Sequence, residues 1–297
     1  MDQADTLRQM LAPRKADEPI RVIAVTSGKG GVGKSHISAN LAVLAAQAGK
    51  RVLVVDGDLG LANVEILYGI TPKYHLGDLL KEDMSLNDVL ATGPFGVRVL
   101  SAGNGLQELT RLQDAQKMQL MRAFDELEAA FDVVFFDTGA GIGDNVLFFA
   151  GGAQEALLVV TPEPTSLTDA YASVKALSQN AGVEQFGVVV NMARSDAAAR
   201  DLFRRLCLVC SRFLSAKLRF VGHIPRDENI HRAVMAQRPL VEAFPQAPAS
   251  RAMAAIANRV LSDAPTPSAG GLKFFWQGLL RSPQSPAIPP APTGAAR

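Results

Sequence analysis

The sequence predicts an α/β fold built on a doubly wound, mostly parallel sheet. Three observations predict it. Apolar strand-like runs recur through residues 20–262 with longer helical patterns between them. Those runs are continuous rather than alternating, as in strands covered on both faces. A glycine-rich loop with two lysines joins the first run to the first helical pattern. In chain order the strands are IRVIAVTS (20–27), RVLVVD (51–56), VRVLSA (97–102), DVVFFD (132–137), EALLVVT (155–161) and FGVVVN (186–191). The helices are expected at 35–49, 113–130, 166–180 and 198–214. No internal repeat is present.

Composition narrows the function. The chain has 297 residues, 48% of them apolar, enough for a sizeable core. The formal net charge is +1, so no global field draws it to nucleic acid. Its two cysteines, Cys207 and Cys210, are too close together for a disulfide framework and suit a reducing compartment. The opening MDQADTLRQM is polar, which predicts no signal peptide, and no run reaches the ~18 apolar residues of a spanning helix. A cytoplasmic protein, at most peripheral on a membrane, is expected. Three zones follow: an N-terminal helical element and linker (1–19), the α/β domain (20–262), and a flexible linker, a short apolar-basic island and a Pro-rich tail (263–297).

Residues 28–35, GKGGVGKS, match G-x-x-x-x-G-K-S between a strand and a helix. Gly28, Gly30, Gly31 and Gly33, with Val32, let backbone N–H groups converge on phosphate oxygens at a helix N-terminus. Lys34 is placed to reach the β/γ-phosphates and the Ser35 hydroxyl to ligate Mg²⁺. ATP and Mg²⁺ are the cofactors this loop implies. Lys29 is superfluous for that purpose, and it lies on the outer rim, where a second subunit could dock. Two strands end in aspartate near the loop, Asp56-Gly57-Asp58 and Asp137. A carboxylate in that position can hold Mg²⁺ through water.

The K-G-G-x-G-K-S loop resembles the deviant Walker A family of MinD, ParA, the arsenite-pump ATPase and nitrogenase iron protein, a P-loop NTPase class with the SIMIBI, MinD-like fold. In that family the first lysine reaches the partner's nucleotide in a face-to-face dimer, so the resemblance implies that Lys29 acts in an ATP-sandwich homodimer. It implies further that Asp58, in switch I, orients the attacking water and that Asp56 supports the Mg²⁺ shell. Asp137, followed by Thr138-Gly139-Ala140-Gly141, resembles Walker B and switch II. Asn191 falls where relatives set an amide against the adenine edge, and Pro225 where they place the loop beside the base. His36 departs from the pattern, since relatives carry a small or amide residue after the loop serine; it counts with the nucleotide-binding residues but not with the catalytic ones. Asp58, Lys29 and Lys34 are the catalytic candidates for hydrolysis of ATP.

The stretch DGDLGLANVEILYGITPKYHLGDLL (56–80) is similar to flagellar-number regulators of the FlhG/FleN type, as is ENIHRAVMAQRPLVEAFPQAPASRA (228–252). The N-terminus resembles that family's D-Q-A-x-x-L-R element, which docks on an FlhF-type signal-recognition GTPase and raises its GTP hydrolysis. Asp2, Gln3, Ala4, Leu7 and Arg8 carry the match. Asp2 suits an N-cap, and Leu7, Met10 and Leu11 form one apolar stripe. The other partners the resemblance implies are flagellar switch (C-ring) components and the flagellar master transcription regulator. In the C-terminal island Leu272, Phe275, Trp276, Leu279 and Leu280 fall at i, i+3, i+4, i+7 and i+8, with Lys273 and Arg281 on another face. That pattern over 271–281 fits an amphipathic helix on an anionic membrane surface, bound reversibly.

Division-site and partitioning ATPases are the alternatives. Residues 194–219 hold seven Lys/Arg, which could meet DNA phosphates, lipid or protein; no sequence-specific DNA binding is expected. Iron–sulfur carriers with this loop use C-x-x-C. Here Cys207 and Cys210 lie in an uninterrupted helical pattern and read as packed small hydrophobes.

Overall fold

The computed structural model describes residues 20–58, 63–80, 84–101 and 130–262. The helix expected at 113–130 lies outside them except for Ala130, and so do the N-terminal element with Asp2, Gln3, Ala4, Leu7 and Arg8 and the C-terminal island with Leu272, Phe275, Trp276, Leu279 and Leu280.

Eight strands form one sheet: β1 (Arg21–Ser27), β2 (Val52–Gly57), β3 (Ala91–Thr92), β4 (Arg98–Ser101), β5 (Val133–Ala140), β6 (Glu155–Val160), β7 (Gln185–Ala193) and β8 (Lys217–Pro225). Their order is β3-β4-β2-β5-β1-β6-β7-β8, parallel throughout except for the short edge strand β3, which runs antiparallel to β4. The order reverses direction at β1, the switch point where a doubly wound sheet opens a crevice at its strand ends.

Among the described residues the α-helices are α1 (Lys34–Gln47), α2 (Asn63–Tyr68), α3 (Leu86–Val89), α4 (Asp144–Gly151), α5 (Pro164–Asn180), α6 (Asp196–Phe213), α7 (Glu228–Met235), α8 (Leu240–Ala243) and α9 (Pro248–Ser262). They cover both faces of the sheet. Strand β5 shows why its sequence is apolar without alternation. Phe135 joins the core formed with Ile37 and Leu41 of α1 and Met253 and Ile256 of α9. Phe136, pointing the other way, packs on Phe149 of α4 at a 5.4 Å ring separation, in the core shared with Val174 of α5 and Leu206 of α6. Burying each phenylalanine contributes roughly 1.5–3 kcal/mol.

The six strands expected from sequence are present within a few residues. Strand β8 was not among them. It is an edge strand whose first half, KLRF, is only partly buried, and its charges hide the pattern: Arg219 donates to Glu155 at 2.7 Å. Helix α6 begins at Asp196, two residues before the expected start, because the Ser195 hydroxyl caps it by accepting from the Ala198 N–H at 3.2 Å.

Candidate functional site

The parallel strands bring their C-terminal ends to one edge, and the nucleotide-binding candidates gather there. Asp56 of β2 and Asp137 of β5 are direct partners in register, and Asp137 also pairs in register with Val25 of β1, three residues before the loop. Two carboxylates separated along the chain thus stand side by side under the glycine-rich loop.

Asp137 is fully buried, and neither of its oxygens makes a hydrogen bond within the protein. Burial, with the Asp56 carboxylate alongside, pushes its carboxyl up to about 8; the Ser35 hydroxyl and the Lys34 ammonium face it and oppose the shift. Burial also raises Asp56, to about 6. Its two oxygens accept from the Asp58 N–H at 3.2 Å and the Val64 N–H at 3.0 Å, so it holds both ends of the segment that carries Asp58. Asp58 in turn accepts from the Asn63 side-chain amide at 3.2 Å.

The loop is braced at both ends. Ser27 donates its hydroxyl to the Lys29 carbonyl at 2.7 Å, and the Asn191 amide donates to the Val32 carbonyl at 2.8 Å. At Gly28 an added Cβ would fall 2.1 Å from the Asp169 carbonyl oxygen of α5, so only glycine lets the loop leave β1 here. Gly33 has φ +91, and its Cβ position meets the Asn191 amide at 2.6 Å. Asn191 is therefore packed beneath the loop. Its carbonyl accepts from the Met192 N–H at 2.9 Å, while its amide, placed against an adenine edge by sequence reasoning, here supports the loop backbone.

The two lysines differ in environment. Lys34 is buried, and desolvation lowers its pKa against the pull of Asp137 and Asp58. Lys29 is exposed on the rim and forms an ion pair with Glu163, which follows β6; the hydrogen bond to Glu163 raises its pKa. His36, in the first turn of α1, lies 3.5 Å from the Asn40 amide, and burial lowers its pKa to about 4. It is neutral at ordinary pH and adds no charge to the phosphate site.

A cavity of about 380 Å³ opens between the ends of β6, β7 and β8, lined by Thr161, Pro162, Glu163, Met192, Arg194 and Arg226. Met192 and Arg226 are the chain neighbours of Asn191 and Pro225, the residues expected beside the base. Met192 holds φ +56, a left-handed conformation that costs a non-glycine residue roughly 1–2 kcal/mol. Sequence reasoning missed Glu163, Asn63 and Arg226. Only their placement against Lys29, Asp58 and the cavity marks them, since no spacing rule names them.

The site suits a magnesium nucleotide. A buried carboxylate with two unpartnered oxygens is costly unless a cation or its water shell meets it. Ser35 and Asp137 would hold Mg²⁺, with Asp56 behind them, and the loop N–H groups and Lys34 would hold the phosphates. Cys207 and Cys210 lie away from these strand ends, in α6. Cys210 is buried, and desolvation raises its thiol to about 11, as for an inert core cysteine. Among the described residues no cluster of three or more His, Cys, Asp or Glu is placed to hold a metal ion by itself, and no helix is long and apolar enough to cross a membrane.

Comparison with known proteins matches this geometry. Residues 19–261 match the ParA family described as "NUBPL iron-transfer P-loop NTPase". The chain is 47% identical over 266 residues to the antiactivator FleN of Pseudomonas aeruginosa, covering 89% of this chain and 95% of that protein. It is 30% identical to the flagellum site-determining protein YlxH of Helicobacter pylori, over 88% of this chain and 90% of that one. Among solved structures, the septum site-determining protein MinD of Pyrococcus horikoshii, complexed with Mg-ADP, superposes with a TM-score of 0.64 at 26% identity, covering 82% of this chain and 96% of that one.

Proposed function

Because the chain belongs to the ParA/MinD family of P-loop NTPases and is an ATP hydrolase, we propose that it regulates flagellar number and placement through an ATP-driven cycle of dimerisation and membrane attachment. The observation that carries the flagellar reading is the 47% identity to FleN along nearly that protein's whole length, with a further flagellar relative in YlxH. The 31.5 kDa chain then works as a switch whose two positions are the ATP dimer and the ADP monomer.

Hydrolysis follows from the placement of charge. Mg²⁺ held by Ser35 and Asp137, with Asp56 behind them, would supply the positive charge that neutralises the transferring phosphoryl group. The loop N–H groups and Lys34 hold the phosphates in line with the attacking water. Asp58, tethered by Asn63, accepts the hydrogen bond that orients that water. Lys29 completes the site only across the dimer. Held by Glu163 on an exposed rim, it has to exchange this intrachain ion pair for the partner's phosphates. The exchange is cheap, because an ion pair exposed to solvent contributes little, and a doubly charged phosphate competes well for the lysine. The active site assembles with the dimer, so turnover is slow and coupled to association.

Two terminal elements read out the switch. The N-terminal helix, with Gln3 on the edge of its apolar stripe, stimulates an FlhF-type GTPase. The test mixes the full-length protein with that GTPase from the same organism and records GTP hydrolysis. Stimulation that disappears in Gln3→Ala is the expected result; equal hydrolysis with wild type, variant and no addition would rule the reading out. The C-terminal island docks on anionic lipid. Five large apolar side chains would each contribute roughly 1.5–3 kcal/mol on full burial, less the ordering of the helix. Two copies on one dimer gain from effective concentration, which ties attachment to ATP. Deleting residues 271–297 is expected to abolish ATP-dependent co-sedimentation with phosphatidylglycerol vesicles while ATP binding persists; full retention would place the membrane contact elsewhere. The flagellar transcription activator and switch-complex components are the remaining partners in this reading, the first supported by the word "antiactivator" for the FleN relative.

A further inference from the structure

Helix α4 closes over the two strand ends that carry the aspartates of the site. Strands β2 and β5 run in register there, Asp56 beside Asp137 and Gly57 beside Thr138. Val146 and Phe149 stand one turn apart on α4, and each meets one of these ends. Val146 faces Gly139, where a Cβ would lie 3.9 Å from a valine methyl. Phe149 is fully buried, and its ring edge sits on Gly57, where a Cβ would fall 2.5 Å from one ring carbon and 2.7 Å from the next.

Gly57 separates Asp56 from Asp58, the group that orients the attacking water in the mechanism above. Its backbone ends strand β2 and is not left-handed, unlike that of Gly31 and Gly33 in the loop. Glycine is therefore needed here for space alone, and the Phe149 ring takes that space. The ring is itself held from behind, with the Phe136 ring of β5 at 5.4 Å and the Phe148 ring at 5.3 Å. Close-packed interiors transmit small displacements, so a fixed ring pressed on a main chain fixes that main chain. The hydrogen bonds of Asp58 with Asp56 and Asn63 tether it; the ring adds a hard stop at the residue before it.

Helix α4 is also joined to the phosphate loop. Residues 138–143, which lead into it, lie against the loop. The Gly141 N–H donates to the Ser27 carbonyl at 2.9 Å, and the Ala140 methyl lies 3.9 Å from the Cβ position of Gly30. One short helix thus runs from a segment at the loop to the neighbour of Asp58. We infer that Phe149 is a positioning residue for Asp58: its ring, acting through Gly57, sets where the aspartate stands relative to the phosphate loop. This role for Phe149 rests on the reading of Asp58 as the group that orients the water. Phe186 supplies the comparison. It is an equally buried ring in the same core, but it lies near the start of β7, at the other end of the sheet from the aspartates.

The test records steady-state ATP hydrolysis and melting temperature for the full-length wild type, Gly57→Ala, Phe149→Leu, the two combined, Phe186→Leu and Asp58→Ala. Gly57→Ala sets a methyl against the ring and displaces Asp58, so kcat should fall roughly tenfold to a hundredfold. The loop is untouched, so KM for ATP should stay within about twofold. The combined variant makes room for the methyl, and kcat should return to within about threefold of wild type. Phe149→Leu alone leaves Gly57 unsupported and should also lower kcat; it reads the same contact should Gly57→Ala fail to fold. Phe186→Leu should melt as low as Phe149→Leu yet keep its kcat. Wild-type kcat in both Gly57→Ala and Phe149→Leu, with Asp58→Ala inactive, would overturn the role of Phe149 and leave that of Asp58 intact. A loss that persists in the combined variant, or an equal loss in Phe186→Leu, would mark general damage to the core and would also overturn it. Undiminished hydrolysis by Asp58→Ala would overturn both.

Discussion

Asp58→Ala is expected to bind ATP as the wild type does and to lose hydrolysis, so that the protein accumulates as the ATP dimer. The structure gives the physical reason. Asp58 directly follows β2 in a segment whose backbone is tied to Asp56 at the Asp58 and Val64 N–H groups, so truncating its side chain gives up the Asn63 contact but leaves the main chain held. The phosphate-binding loop and its braces, Ser27 and Asn191, are untouched by the change. Removing one group that positions a water for proton transfer lowers turnover by roughly two to four orders of magnitude. Phosphate release and gel filtration in ATP check both halves. Undiminished turnover would remove Asp58 from the mechanism; lost nucleotide binding would show that it supports the loop instead.

The second large effect separates stability from activity at one residue. Asp137 is buried beside Asp56, and its carboxyl is raised from the ordinary 3.8 to about 8. A carboxyl raised in the folded state binds its proton more tightly there than in the unfolded chain. Stability of the ligand-free protein therefore falls as pH rises from about 4 to about 8, where the unfolded chain has already released the proton. Asp137→Asn removes that ionisation. It is expected to raise the melting temperature of the ligand-free protein by several degrees, corresponding to a few kcal/mol at most, with the gain growing between pH 5 and 8. The same substitution removes the carboxylate that faces Ser35, so Mg²⁺-dependent hydrolysis should disappear. Melting curves across pH and phosphate release measure the two. A variant that melts lower at every pH would show that Asp137 makes stabilising bonds in the folded protein, contrary to the arrangement described here.

This opposition explains which features could be read from the chain and which could not. Strands β1, β2, β5, β6 and β7 were legible because burial on both faces leaves continuous apolar runs, as Phe135 and Phe136 show by pointing into opposite cores. The loop was legible because phosphate binding demands glycines and lysine at fixed spacing. Asp56 and Asp137 could each be recognised as a strand end, yet their partnership depends on β2 and β5 being neighbours in register, which follows only from the strand order. Edge strand β8 was hidden because half of it faces solvent and carries charges whose partners are distant, such as Glu155. Glu163 was hidden for the same reason: it lies 134 residues from Lys29 in sequence. The adenine-side residues show a third case, in which the residue is legible and its local bonds are not. Asn191 lies beneath the phosphate loop, and the bonds of its side-chain amide group, to Val32 and to its own neighbour Met192, accompany the left-handed turn at Met192.

Lys29 carries the central claim, that a second lysine on the loop rim exists for another subunit. The most direct measurement is the solution mass by light scattering in ADP and in a non-hydrolysable ATP analogue, for the wild type, Lys29→Ala and Glu163→Ala. The wild type is expected to be a monomer in ADP and a dimer with the analogue, Lys29→Ala a monomer in both, and Glu163→Ala a dimer with the analogue, because Glu163 only holds the lysine while it waits. Full dimerisation of Lys29→Ala, with nucleotide bound, would show that the rim lysine does not serve a second subunit.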